Sequence, residues 1–210
     1  VKKIGLYFGS FNPVHIGHLI IAEYIATQTE LDEVWLAVSP HNPLKEPSQL
    51  APEEHRLEMV KLSIKGSKYL QASDIEFAME KPSYTFKTLQ VLSDTFPKYS
   101  FTLIMGEDNM PTFHLWKEYE WILKNYRVKF FPRLDVPLSE SPIDWGKYDV
   151  QIIAAPRMEI SSTQIRKNIA AGKSNRYLLT DEAIDYIKRH KLYLSLWVLG
   201  FGSWVLGFAF

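Results

Sequence analysis

Cysteine is absent from all 210 residues. That removes disulfides, thiolate–zinc sites and thiol nucleophiles together, and it fits a reducing, cytoplasmic setting. Net charge is absent as well, because 24 Lys and Arg balance 24 Asp and Glu. No global field draws the chain to nucleic acid or to an anionic membrane, so any anion site has to be local. Neither a nucleic-acid partner nor an obligatory membrane partner is expected, and a homo-oligomer is left open. The start, Val1-Lys2-Lys3-Ile4, lacks the apolar stretch of a signal peptide. Missing too are a Gly-x-x-x-x-Gly-Lys-Ser/Thr loop, an obvious Ser-His-Asp set and a paired-carboxylate acid/base site.

What is present divides unequally. No charged residue follows Lys191, and the last stretch, Leu192 to Phe210, is apolar and aromatic with Trp197-Val-Leu-Gly-Phe repeated as Trp204-Val-Leu-Gly-Phe. The expected organisation is one catalytic domain over 1–193 and an apolar tail over 194–210 that stands outside it. An extension of cloning or translational origin is the preferred reading of the tail, ahead of a docking or oligomerisation segment and a membrane anchor.

Hydrophobic periodicity separates the elements. Strands are expected at Lys3–Phe8, Glu33–Val38, Tyr69–Phe77, Ser100–Met105, Arg127–Phe131 and Val150–Ala154. Helices are expected at Ile16–Thr29, from Pro52 to about Ile64, at Thr85–Thr95, at Trp116–Lys124, and after the N-cap candidates Ser161 and Thr180. Strands alternating with helices of this length predict an α/β fold, a doubly wound, mostly parallel sheet of Rossmann-like type. Ligands then sit beyond the carboxyl ends of the strands.

The segment leaving the first strand is Gly9-Ser10-Phe11-Asn12-Pro13-Val14-His15-Ile16-Gly17-His18. Gly9 permits a tight turn and close backbone approach. The following helix turns its free amides and positive end to the crevice, which suits an anion. His15 and His18, three residues apart, share one helix face. Gly17, inside the helix, reads as room for a nucleotide ring. A zinc site is disfavoured, since the pair has no cysteine and no third ligand nearby. The second motif, Ile160-Ser161-Ser162-Thr163-Gln164-Ile165-Arg166, follows the last strand. Ser161 and Gln164 have capping-box spacing, which makes a second helix start with hydroxyls beside amides. Arg166, one turn in, can make a bidentate phosphate contact.

These two runs resemble the Gly-Ser/Thr-Phe-Asp/Asn-Pro-x-His-x-Gly-His and Ile-Ser-Ser-Thr-x-Ile-Arg signatures of the nucleotidyltransferases related to class I aminoacyl-tRNA synthetases. The resemblance implies that His15 and His18 contact nucleotide phosphates and stabilise the transition state. It implies that Ser161, Ser162, Thr163 and Arg166 bind the β- and γ-phosphates, with Gly9, Ser10 and Phe11 also lining the ATP site. His15, His18 and Arg166 are the expected catalytic residues. Magnesium is the expected cofactor, held mainly by the ATP phosphates and by no protein side chain.

The chain is most similar to the nicotinate-nucleotide adenylyltransferase branch, over roughly 2–193. Lys81-Pro82-Ser83-Tyr84-Thr85-Phe86-Lys87-Thr88-Leu89 resembles that branch's carboxylate-recognising run. A helix start there suits a carboxylate on physical grounds as well. Met105-Gly106-Glu107-Asp108-Asn109 resembles a nucleotide-pocket segment, giving Gly106 and Asp108. Phe113-His114-Leu115-Trp116-Lys117-Glu118-Tyr119-Glu120 resembles a run whose Trp packs near the pyridine, giving Trp116 as the stacking candidate and leaving His114 solvated. Arg133 resembles a position near the triphosphate or adenine. One run departs: Pro40-His41-Asn42-Pro43-Leu44-Lys45 keeps Lys45 as a phosphate contact but has Leu44 where the branch has His, with His41 as the nearby substitute.

The activity implied is transfer of AMP from ATP to nicotinate mononucleotide, with those two molecules as partners. The alternatives are another phosphorylated acceptor, such as nicotinamide mononucleotide or pantetheine phosphate, and a non-catalytic nucleotide sensor on the same fold. A tRNA synthetase is disfavoured by the absence of a Lys-Met-Ser-Lys-Ser run, an anticodon domain and a basic face.

Overall fold

The computed structural model describes residues 1–40, 50–133 and 141–194. Lys45, His41 and Leu44 lie outside the described residues, as does the repeated apolar stretch of the tail.

Six strands form one sheet: β1 (Lys2–Gly9), β2 (Glu33–Val38), β3 (Leu70–Ser73), β4 (Tyr99–Gly106), β5 (Arg127–Phe131) and β6 (Val150–Ile152). Their order is β3-β2-β1-β4-β5-β6 and every pairing is parallel. The helices are α1 (Ile16–Gln28), α2 (Glu53–Ser63), α3 (Thr85–Thr95), α4 (Tyr119–Asn125), α5 (Ser162–Ala170) and α6 (Asp181–Arg189).

Parallel strands need long crossovers, so helices cover both faces and the strands carry apolar residues on both sides. Ile4 and Leu6 of β1 and Phe101, Leu103 and Met105 of β4 pack with Leu89 and Leu92 of α3 and Ile122 and Leu123 of α4. Tyr7, Leu36 and Ile104 face the other way, onto Ile21 and Ile25 of α1, Met59 and Val60 of α2, Ile165 of α5 and Ile187 of α6. The strand order reverses between β1 and β4, so the connections leaving those strands part to opposite faces and leave a crevice at the carboxyl edge.

Three expectations need correction. The third strand is shorter than Tyr69–Phe77, because only Leu70 to Ser73 finds partners, in Val34 to Ala37 of β2. Pro52 caps α2 from outside its first turn. The helix expected at Trp116–Lys124 begins at Tyr119, after a 3-10 stretch over Glu107–Leu115. Trp116 is extended there, stacked on Phe113 with ring centroids 5.0 Å apart, and Glu118 caps α4 in left-handed backbone at φ 55°. Helical periodicity does not register such a break.

At the amino end of β5, far from the crevice, the Lys129 ammonium is fully buried. It donates to Glu30 at 3.1 Å and to Gln151, while Arg127 reaches Glu30 at 2.6 Å. Burial pushes the Glu30 carboxyl up, but its backbone hydrogen bond, Lys129 and Arg127 outweigh that and bring its pKa down to about 2. A depressed carboxyl pKa adds stability that is complete above about 4.5 and lost as pH falls toward 2. Glu30 is partly exposed, so solvent screens the gain. Glu30→Gln should cost roughly 1–2 kcal/mol at pH 7, lowering Tm by about 2–8 °C. It should also flatten the fall in stability between pH 4.5 and 2. Thermal melts across that range check this, and an unchanged acid limb would remove Glu30 from the account.

Candidate active site

α1 starts with a reciprocal cap made by the two histidines. The His18 amide donates to His15 Nδ1 at 3.3 Å and the His15 amide donates to His18 Nδ1 at 3.2 Å. The rings stack, with centroids 3.6 Å apart and planes 19° from parallel. An Nδ1 that accepts carries no proton, so each neutral ring holds its proton on Nε2. The backbone thereby fixes both tautomers, and both imidazoles become Nε2–H donors at one helix end.

His15 is buried, and that burial, with the nearby Arg133 cation, takes its pKa down to about 4 against a weaker opposing hydrogen bond. It is a neutral donor at pH 7. Phe11, at φ 43°, drives its ring into the core edge-on to Tyr7 at 5.6 Å and to His18 at 5.1 Å.

The glycines of this motif serve the protein's own side chains. A Cβ on Gly9 would meet the Phe11 ring at 2.8 Å, and a Cβ on Gly17 would meet His15 Nδ1 at 3.1 Å and Ile160 at 3.5 Å. Gly17 is the second residue of α1, and the space a side chain would take there is already lined by His15 and Ile160. The helix start also offers fewer free amides than expected, since Ile16 N–H donates to Leu178 O at 2.9 Å and His18 N–H is used in the cap. The side-chain donors therefore matter more.

The second motif joins the first directly. Ser161 caps α5, accepting from the Gln164 amide at 3.2 Å. The reciprocal half of the expected box is missing, because Gln164 Nε2 donates to Asn168 instead, at 2.8 Å. Ser162 Oγ donates to Pro13 O at 2.9 Å. Arg166 is buried and its Nη1 donates to Asn12 O at 2.8 Å, with Thr163 Oγ1 at 3.4 Å from Nη2. One Arg166 nitrogen thus holds the first loop, while the guanidinium has five N–H donors in all. Its Nε is buried with no protein partner. Thr163 and Ser161 are exposed at the helix start.

Gly106, Asp108 and Arg133 meet at the ends of β4 and β5. Arg133 Nε lies 3.8 Å from Asp108 Oδ2, and a Cβ on Gly106 would run into both side chains. The same Arg133 bears on His15 and Tyr7, which links this cluster to the histidine pair. Ser10 lies under the loop, its carbonyl accepting from Arg56 at 2.6 Å.

On the other face of the sheet, Tyr84 precedes α3 in extended backbone with no side-chain cap, and Thr85 is the first helical residue. Ser83 is turned away from the cap: its Oγ donates to Glu76 at 3.0 Å, and Thr88 Oγ1 donates to the other Glu76 oxygen at 2.8 Å. Lys117 Nζ sits 4.6 Å from the Tyr84 ring centroid, so the Trp116 segment and the Tyr84 segment come together under a cation. His114 is half-buried with Nδ1 shut away from solvent and unpaired, against the expectation of a solvated ring.

Four residues around the site were not among the expected ones. Arg56 is 1% exposed and donates to the carbonyls of Ser10, Ser39, Pro40 and Ala51. Asn12 accepts from Ala51 N–H at 3.1 Å and from the Tyr193 hydroxyl at 2.9 Å, and Glu76 holds Ser83. Arg56 had a signal: it falls on the helical face of Met59 and Val60, where a solvated cation does not belong.

A model of the cytidylyltransferase-like family matches residues 6–168. Proteins named "Probable nicotinate-nucleotide adenylyltransferase" from Flavobacterium psychrophilum and Cytophaga hutchinsonii are each 47% identical over 191 residues, 91% of this chain and 98% of theirs. Among solved structures, Plasmodium falciparum nicotinic acid mononucleotide adenylyltransferase complexed with NaAD superposes with a TM-score of 0.75. It is 23% identical, over 92% of this chain and 98% of that one, which shows the shared fold.

The histidine geometry generates a titration. A His pKa depressed from 6.5 to about 4 contributes stability present above 6.5 and lost as pH falls toward 4. Proton NMR of the His15 ring should give a midpoint below 5, and a value between 6 and 7 would show that the ring is not buried beside Arg133 as described.

Proposed function

This chain belongs to the cytidylyltransferase-like family, in the company of the nicotinate-nucleotide adenylyltransferases, and on that premise we propose that it transfers AMP from ATP to nicotinate mononucleotide. The products are nicotinate adenine dinucleotide and pyrophosphate. The observation that carries this reading is the junction of two helix starts at one loop. Ser162 and Arg166 of α5 hold the backbone of Pro13 and Asn12, three or fewer residues before the His15/His18 pair that opens α1.

A phosphate oxygen of the acceptor attacks the α-phosphorus of ATP in line. A new P–O bond forms there as the bond to the bridging oxygen of pyrophosphate breaks, and pyrophosphate leaves with that electron pair. The attacking phosphate has a second pKa of about 6 and is already largely dianionic at pH 7, so no general base is required. The chain's task is alignment and charge stabilisation. The two Nε2–H donors and the hydroxyls of Ser161 and Thr163 serve the phosphates, with Arg133 supplying long-range positive charge; Lys45, outside the described residues, is assigned as a further phosphate contact.

Magnesium fits the donor set if the triphosphate carries it. The groups gathered here are N–H and O–H donors, which bind anions, and among the described residues no group of three or more His, Asp or Glu is placed to hold a metal. When bound, the ion neutralises phosphate charge. At α3, an uncapped helix start beside Lys117 suits the acceptor's carboxylate, with Trp116 as the half-buried ring beside it. Ser83 contributes through Glu76 rather than by facing the ligand.

The cysteine-free sequence agrees with the cytoplasmic setting we assign. Among the described residues, no helix is long and apolar enough to cross a membrane. The catalytic unit in this reading ends at Tyr193.

His18→Ala should lower kcat by about 10²–10³-fold in a pyrophosphate-release assay. It should cost only about 1 kcal/mol of stability, through the lost cap. Near-normal turnover would sink the assignment. Nicotinate mononucleotide should be preferred over nicotinamide mononucleotide by at least about tenfold in kcat/KM, one hydrogen-bonded charge being worth that much. Equal values would refute the role given to α3 and Lys117, and silence with every phosphorylated acceptor would leave a nucleotide sensor.

A further inference from the structure

After α6 the backbone twice enters left-handed territory at residues other than glycine: Lys191 at φ 53° and Tyr193 at φ 63°. Such residues cost about 1 kcal/mol or more each and persist where surrounding contacts over-determine them. The contacts here are specific. Leu192 is buried, and its amide donates to Ile187 O at 3.0 Å. The Tyr193 side chain packs against the core within the influence of the Arg166 and Arg56 cations, and its hydroxyl donates to Asn12 Oδ1 at 2.9 Å across 181 residues of sequence.

Asn12 is the point through which this contact reaches the site. Its Oδ1 takes two donors, the Tyr193 hydroxyl and the Ala51 amide, which together fill the oxygen's lone pairs and fix the amide orientation. Its backbone oxygen is held by Arg166. Three residues on, His15 begins the reciprocal cap. The strained turn therefore delivers a hydroxyl to the residue that connects α2, α5 and the histidine-bearing loop.

We propose that Tyr193 is a positioning residue for nucleotide binding: from the carboxyl end of the domain it fixes Asn12, and through Asn12 the placement of the His15/His18 donors. This rests on the reading of the loop as an ATP site. Tyr193 touches no substrate in this scheme. Its ring packs against the core cluster, and only the hydroxyl carries the effect.

The test is Tyr193→Phe in the full chain, with ATP affinity measured by calorimetry in the presence of magnesium, beside turnover and thermal melts. The variant should bind ATP about tenfold more weakly and lose a similar factor in kcat/KM for ATP. KM for nicotinate mononucleotide should stay within about twofold, a split that general loosening of the fold would not produce. Asn12→Ala should weaken ATP binding too, and adding Tyr193→Phe to it should weaken binding little further, because both act through one contact. Unchanged ATP affinity in Tyr193→Phe, or effects of the two substitutions that simply multiply, would overturn the proposal. If the parent binds ATP yet turns over no acceptor, the assigned reaction fails while the affinity comparison still decides the role of Tyr193. A parent chain that binds no ATP overturns both.

Discussion

One buried guanidinium organises the carboxyl edge of the sheet. Arg56, from the second turn of α2, gathers the carbonyls of Ser10, Ser39, Pro40 and Ala51. Strand ends leave carbonyls that no neighbouring strand satisfies, and burying them unpaired is costly. Charge-assisted bonds to a single rigid fork satisfy several at once, and they draw the exits of β1 and β2 toward the start of α2. Everything proposed for nucleotide binding hangs from that arrangement. The loop after β1 can place a histidine pair only because its carbonyl side is held from below.

The histidines then show how little the chain needs in order to make a directed donor pair. A helix start has amides to satisfy, and Ser, Asp or Asn usually does so. Here imidazoles do it for each other. The same hydrogen bonds that begin the helix decide which ring nitrogen carries the proton. Gly17 makes room for the ring that does this, and Phe11 supports the pair from the side. Structural and functional demands fall on one set of contacts, so the motif tolerates little substitution at any of its positions.

Legibility in the sequence followed the span of the interactions. Strand and helix identities could be read because hydrophobic period is local, and five of the six helices begin within about a residue of the expected start. His15, His18 and Ser161 could be read as helix-start positions because each is defined within three residues of itself. The contacts of Asn12, Glu76 and Tyr193 could not be read, as most of their partners lie between 12 and 181 residues away, and Arg56 showed its burial by its helical face but not its partners. The space a side chain would need at Gly9 and Gly17 is taken by Phe11, His15 and Ile160, which the motif's spacing does not reveal. The helix expected from Trp116 failed for another reason: a stacking contact with Phe113 and a left-handed Glu118 interrupt a pattern that composition alone shows as continuous.

The bonds that complete the first loop come from the far end of the chain, at separations of 149, 154 and 181 residues for Ser162, Arg166 and Tyr193. A nascent chain emerging amino end first therefore carries its most recognisable motif for 149 to 181 residues of further synthesis without the groups that shape it. Long-range contacts of this kind form late, after loop closure has brought the ends together. The loop is therefore complete only once the segment from Ser162 to Tyr193 has been added, a dependence that the local motif does not display.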